Sequence, residues 1–260
     1  MKKAICLDSL PGGMSILERF TLARDAGFTA VEPVAPANDQ TLDEIKSAAE
    51  RTGVAVASVM DIACWSCPFS SPDAAEVERG LEAARRAIDC AAALNAGAVL
   101  IVPAVVNEAV TYEDAYERSQ RQIRELIPLA AVRKIVLALE NVWNKFLLSP
   151  MEFARYIDEL ASPWVKAYFD VGNILLYGFP QHWIKTLGPR IARIHLKDFQ
   201  IGPKAFADLL EGDVNWPAVI AALRAIGYDG CLTAEVGVAA EDPVAGVHKV
   251  SKALDQILAM

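Results

Sequence analysis

Short apolar runs alternate with longer helical patterns along the whole chain, and this rhythm constrains the fold more than any other feature. The strand candidates are AICLD (4–8), AVEPV (30–34), VAVASVMDI (54–62), AVLIVPAV (98–105), IVLALEN (135–141), VKAYFDV (165–171), IARIHLKD (191–198) and CLTAEV (231–236). Strands this continuously hydrophobic belong to a parallel sheet covered by helices. Helix punctuation fills the gaps between them. In SPDAAEVERGLEAARRAIDCAAALNAG, Ser71 or Asp73 reads as the N-cap and Gly97 as the stop; SPMEFARYIDELAS places Ser149 before Pro150; NWPAVIAALRAIGYDG ends on Gly227.

Eight β–α units within 260 residues match a parallel (β/α)8 TIM barrel of the α/β class, with a doubly wound open sheet as the alternative. The open sheet would favour a Gly-rich phosphate turn after its first strand, and DSLPGGMS is no G-x-G-x-x-G. No linker, charge block or low-complexity segment interrupts the rhythm, so residues 1–260 read as a single barrel domain.

Composition narrows the partners. Hydrophobic residues make up 53% of the chain and charged residues 22%, enough apolar side chain for a large core. A net charge of −8 and a pI near 5.0 argue against a nucleic-acid surface, which needs a basic face. No apolar run reaches the length of a spanning helix, so no membrane partner is expected. The apolar run of MKKAICLDSL stops at Asp8, too short for a secretion signal, and the five cysteines show no disulfide framework. Both point to the cytoplasm. Cys64 and Cys67 have C-x-x-C spacing, but no second such pair completes a structural zinc site.

In a (β/α)8 barrel the reacting groups sit at the C-terminal mouths of the strands. The fifth candidate strand ends in Glu140, the sixth in Asp170, the seventh in His195 and the eighth in Glu235. Neighbouring strands lie about 4.8 Å apart, so four adjacent ends form a compact arc around one centre. Carboxylates crowded in this way repel one another, and a divalent cation relieves the repulsion. Three carboxylates and one imidazole suit one ion of Mn²⁺, Mg²⁺ or Co²⁺, with Zn²⁺ also compatible. Each residue alone has a plainer role, as a rim salt-bridge partner or a core histidine; four at equivalent positions do not. Asp8 and Glu32 end the first and second strands, on the far side of the barrel, and suit substrate hydroxyls or bonds behind the ligands. His182 follows the sixth strand, and His248 lies on the last helix at the surface.

Five motifs carry a resemblance: LENVWN around Glu140, FDVGN around Asp170, RIHLKDF, EGDVNW and GYDGCLTAEV. Together they resemble the sugar-phosphate isomerase/epimerase family with the xylose-isomerase-like barrel, which includes ketose 3-epimerases, L-ribulose-5-phosphate 3-epimerases and hydroxypyruvate isomerases. The resemblance implies that Glu140, Asp170, His195 and Glu235 are the metal ligands, with manganese the frequent occupant. It also implies that Glu140 and Glu235 double as the acid–base pair. The chain departs from the ketose 3-epimerase pattern at three positions: Phe146 replaces a second glutamate, Asn173 a histidine and Ile201 an arginine. The DVGN form is similar to that of the sugar-phosphate members, which favours a phosphorylated or otherwise different small sugar.

The expected chemistry is proton transfer through a cis-enediolate, with one glutamate removing a proton and the other returning it to the opposite face or to the neighbouring carbon. Lys197 is a candidate to neutralise the enediolate or hold a phosphate, or else to pair with Asp198 or a neighbouring strand. Asn173, Trp143, Asn144, Trp65 and Glu32 are further candidate substrate contacts, with Trp65 and Phe69 forming an apolar lid or an ordinary helix start. The resemblance also implies a homodimer. Rival readings are a metal-dependent dehydratase acting on an inosose or a dehydroshikimate, and a non-catalytic sugar-binding barrel. A DNA-repair endonuclease of this barrel type needs more histidines than the three present.

Overall fold

The computed structural model describes residues 1–238 and 241–260. Its strands are β1 (Lys2–Cys6), β2 (Ala30–Glu32), β3 (Ala55–Val56), β4 (Val59–Asp61), β5 (Ala98–Ile101), β6 (Val136–Glu140), β7 (Val165–Asp170), β8 (Ile191–Leu196), β9 (Asp198–Gln200), β10 (Ala205–Ala207) and β11 (Cys231–Ala234). The helices are α1 (Ile16–Asp25), α2 (Asp39–Thr52), α3 (Ala74–Ala93), α4 (Tyr112–Arg133), α5 (Pro150–Glu159), α6 (Val171–Ile174), α7 (Pro180–Leu187), α8 (Trp216–Ala225) and α9 (Pro243–Ala259).

The main sheet runs β3-β2-β1-β11-β8-β7-β6-β5-β4, and every pairing in it is parallel. Its two ends, β3 and β4, are successive parts of one extended stretch. β3 pairs with β2 and β4 with β5, so the third barrel position closes the ring through a break at Ala57 and Ser58. The expected third strand, 54–62, is therefore two short ladders. This is the (β/α)8 barrel, with β9 and β10 as an added antiparallel hairpin beyond β8.

Strand alternation produces two apolar layers. Ile5, Val31, Val99, Leu137, Phe169, Ile194 and Leu232 point outward and pack with Phe20, Ile88, Ile123, Phe153, Leu223 and Leu254 of the helices. Each such side chain contributes about 1.5–3 kcal/mol when fully buried. The inner layer is smaller: Ala4, Ala30 and Ala57 form one cluster, and Cys6, Met60, Ala98, Leu100, Ala138 and Tyr168 belong to another. Small residues here leave room for the rings of Tyr168 and His195, whose centroids lie 4.3 Å apart.

Helix starts follow the capping residues. Ser15 and Glu18 form a capping box on α1, Asp73 caps α3, Ser149 caps α5 ahead of Pro150, and Asn215 caps α8. Gly227 (φ +70°) makes the left-handed turn after α8, as its position predicts. Gly97 has another role: α3 already ends at Ala93, and Asn95 (φ 53°) supplies the left-handed turn. A Cβ at Gly97 would sit 2.6 Å from the guanidinium of Arg193, so its glycine makes room inside the barrel.

Candidate metal centre

β6, β7, β8 and β11 are consecutive in the sheet order, and their mouths carry the four predicted ligands. Glu140 and Asp170 are the last residues of β6 and β7, His195 is the penultimate residue of β8, and Glu235 follows β11 directly. The Glu235 N–H donates to the Leu196 carbonyl, which continues the ladder and holds that glutamate in line. One donor atom from each of Glu140, Asp170, His195 and Glu235 lies within 4.8 Å of the others. Glu140, Asp170 and His195 are buried, and Glu235 opens partly to the mouth.

The geometry around His195 is directional. Its Nδ1 faces Glu140 Oε1 at 3.0 Å and Glu235 Oε2 at 2.8 Å, while its Nε2 lies 2.6 Å from Glu32 Oε2. Lys197 Nζ reaches Glu235 Oε2 at 2.8 Å and Asp170 Oδ2 at 3.3 Å. Of the two pairings expected for Lys197, the one to neighbouring strands is the one that forms, and Asp198 does not touch the lysine. Asp198 is buried and accepts from the backbone N–H groups of Phe199, Leu210 and Val214 and from Trp216 Nε1, which fixes the loop beyond β8.

Electrostatics separates the carboxyls. Burial pushes Glu140 up to about 7, with the Glu235 charge adding to the rise against the pull of His195 and Lys197. Burial also raises Asp170, only partly offset by Lys197. For Glu235 burial is outweighed by His195 and Lys197, which bring it down to about 2. Burial opposes charge on His195 and Lys197, yet the surrounding acidic groups hold both above their ordinary values.

A divalent cation fits this cluster. Asp170 Oδ2 and Glu235 Oε2 are buried yet accept no well-oriented hydrogen bond, although Lys197 is within ion-pair reach of both. Such orphaned acceptors beside an imidazole nitrogen are what an oxygen- and nitrogen-preferring ion satisfies. Glu140, Asp170, His195 and Glu235 would hold it.

The other predicted contacts are distributed differently. Asn173 is buried; its N–H donates to Asp170 Oδ1 and its amide to the Asn141 carbonyl. The Asn144 amide donates to the Ala104 carbonyl and accepts from the Phe146 N–H. Both asparagines shape the mouth through backbone bonds. Trp143 donates to the Asn173 carbonyl, stacks on Phe206 at 5.0 Å and meets Phe199 edge-on. Lys197 lies over the Phe206 ring at 5.5 Å, so this aromatic wall adjoins the cation site. Trp65 is exposed beyond β4, but Phe69 is fully buried in the outer core and forms no lid. Glu32 comes from β2, on the far side of the barrel as expected, but its fully buried side chain crosses the interior and touches His195 directly. Asp8 is exposed, His182 packs on Phe179, and His248 lies on α9; none joins the cluster.

Two polar residues escaped the sequence reading. Asn141 clamps the Asp170 backbone by accepting from its N–H at 2.9 Å and donating to its carbonyl at 2.8 Å. A polar residue directly after a ligand-bearing strand is the one signal that pointed to it. Asp61 ends β4 with Oδ2 buried and unpartnered, and burial pushes its carboxyl up to about 6.

The family model described as xylose isomerase-like TIM barrel matches residues 20–256. SgbU of Escherichia coli K12, provisionally assigned as an L-ribulose-5-phosphate 3-epimerase, is 31% identical over 88% of this chain and 86% of its own. The L-ribulose-5-phosphate 3-epimerase UlaE of Escherichia coli K12 is 28% identical over 93% of this chain and 89% of its own. Among solved structures, the 3-keto-D-glucoside 4-epimerase YcjR of E. coli superposes with a TM-score of 0.84 at 18% identity, with all of both chains covered. The chain belongs to the xylose isomerase-like TIM barrel family.

Proposed function

We propose that this member of the family is a divalent-metal-dependent sugar-phosphate isomerase, and specifically a 3-epimerase of a ketopentose phosphate of the L-ribulose 5-phosphate type. The observation that carries the proposal is the convergence of Glu140, Asp170, His195 and Glu235 at four adjacent strand mouths. SgbU and UlaE supply the substrate class. Phe146 argues against a free ketohexose: it stands where the ketose 3-epimerase pattern has a second glutamate, and it is buried among Tyr112, Tyr116 and Tyr156.

A bound divalent ion, with Mn²⁺ the proposed occupant, would polarise the substrate carbonyl as a Lewis acid and acidify the adjacent C–H. Glu235, kept ionised by His195 and Lys197, takes the C3 proton. Glu140, on the opposite side, returns a proton to the other face. The two carboxyls arrive from β11 and β6, on either side of β8 and β7, and so flank a planar enediolate placed between them. Lys197 balances the oxyanion, and the Trp143–Phe206 wall excludes water on one side.

Two finer assignments accompany this one. The five free cysteines support the reducing cytoplasm, and no described helix is long and apolar enough to cross a membrane. The exposed Leu176, Tyr177 and Phe179 support a homodimer that covers them, checked by sedimentation velocity.

The test is incubation with ketopentose and ketohexose phosphates and their free sugars in D₂O, with and without Mn²⁺, read by NMR. Mn²⁺-dependent deuterium at C3 of a ketopentose phosphate is the expected result. No exchange with any member would refute the proposal, and water release with new ultraviolet absorbance would assign a dehydratase instead.

A further inference from the structure

Glu32 sits at the end of β2, wholly buried, with every oxygen engaged. Its Oε1 accepts from Ser58 Oγ at 2.5 Å and Tyr168 OH at 2.9 Å. Its Oε2 lies 2.6 Å from His195 Nε2 and 3.5 Å from Cys6 Sγ. Cys6, Glu32 and His195 cluster tightly enough to suggest a second ion, but four neighbours capable of donation already fill the carboxylate. Only an acceptor-only side chain suits such a position. A glutamine there would turn its NH₂ toward one of two donor pairs.

We propose that Glu32 is a positioning residue for the cation site, accepting the Nε2–H of His195 and so fixing the tautomer whose Nδ1 lone pair points at Glu140 and Glu235. The imidazole has one ring proton in its neutral form, and whichever nitrogen carries it cannot ligate. With the proton on Nδ1, the histidine would donate to Glu140 or Glu235 and the fourth ligand would be lost. The charge on Glu32 also makes the ring a stronger donor, as carboxylates behind ligating histidines do. Ser58, in the break between β3 and β4, and Tyr168, on β7 across the barrel interior, both hold Glu32, so support for the metal centre spans the ring from its third position to β7.

This inference rests on the cation site described above but not on any sugar chemistry, and its test reads binding. Mn²⁺ affinity is measured by electron paramagnetic resonance for the wild type, Glu32→Gln and Tyr168→Phe, with folding checked by circular dichroism. Zinc-loaded, ¹⁵N-histidine-labelled samples report the His195 tautomer, assigned by loss of its signal in His195→Gln. Glu32→Gln is expected to weaken Mn²⁺ binding about 10–100-fold and to remove the slowly exchanging Nε2–H signal. Tyr168→Phe, which keeps the ring and removes one donor to Glu32, is expected to weaken binding by less, in the same direction. Folded Glu32→Gln with wild-type Mn²⁺ affinity and an unchanged tautomer overturns the proposal. Should Glu32→Gln fail to fold, unchanged affinity and tautomer in Tyr168→Phe overturn it equally. Wild type that binds no Mn²⁺ overturns the cation site itself, whereas wild type that binds the ion without turning over any sugar phosphate refutes only the proposed activity.

Discussion

Replacing Asp61 by asparagine should make the protein more stable at pH 8 than at pH 5, relative to wild type. The carboxyl is 3% exposed; one oxygen accepts from the Ala63 N–H at 3.0 Å, and the other has no partner. Burial moves it from an ordinary 3.8 to about 6, so the folded state holds its proton more tightly than the unfolded state does. Ionisation therefore costs nothing well below pH 3.8, progressively more between 3.8 and 6, and a full ~3 kcal/mol above, at about 1.4 kcal/mol per pH unit. At pH 5 the same linkage gives a cost of ~1.6 kcal/mol. Asparagine retains the acceptor for Ala63 but buries an unpaired amide, an offset of about 1–3 kcal/mol that does not vary with pH. The difference between the two pH values, ~1.4 kcal/mol, survives that offset. Urea unfolding of both proteins in EDTA at pH 5 and pH 8 measures it. An equal stability change at the two pH values would refute the reasoning, because it would mean that the Asp61 carboxyl titrates at its ordinary value.

Other outcomes follow from the same geometry. Glu140→Gln and Glu235→Gln should each lower kcat by about 10²–10⁴-fold; near wild-type turnover in Glu235→Gln would rule out a two-base scheme. A cation binds the ionised carboxylate and the neutral imidazole, burial raises Glu140 to about 7, and His195 is held above its ordinary value, so Mn²⁺ affinity should still be rising through that pH. Below it, affinity should fall at least about tenfold per unit, as calorimetric titration between pH 5.5 and 8.5 would show; a flat profile contradicts the shift. A Cβ on Gly172 would stand 2.7 Å from Lys197 Cβ and 2.8 Å from its carbonyl oxygen. Gly172→Ala should therefore push the β8 mouth aside, at a stability cost of about 1–3 kcal/mol. Thermal melting and kcat should both register it, and an unperturbed variant would show that the close approach relaxes freely.

The barrel and its four convergent donors were legible because each donor closes an apolar run, and strand order then makes consecutive ends neighbours. Glu32 was less legible. Its contact with His195 spans the barrel interior, and no local pattern reveals which side chains meet across a closed ring. The break at Ala57 and Ser58 carries no glycine or proline to announce it. Asp198 looked like a polar strand end beside Lys197, yet it serves as a buried acceptor that shapes the loop beyond β8. Asn173 and Asn144 lie close to the donors in sequence, but short amides near a turn bond to the backbone readily, and here they do so. Gly97 was misread because a glycine needed for room and one needed for a left-handed turn are the same letter.

The closing joint of the barrel has a dynamic consequence. β3 gives two register pairs to β2, the fewest of any pairing in the ring, with the single Val34–Met60 bridge beyond them. Partial opening of a fold begins where the fewest ladder bonds must break. Ser58 stands inside that joint and bonds to Glu32, so a breathing motion there loosens the support behind His195 before the remaining strands part. On warming, the grip on the ion should slacken before the fold is lost, and the two events should separate as distinct transitions in a calorimetric scan.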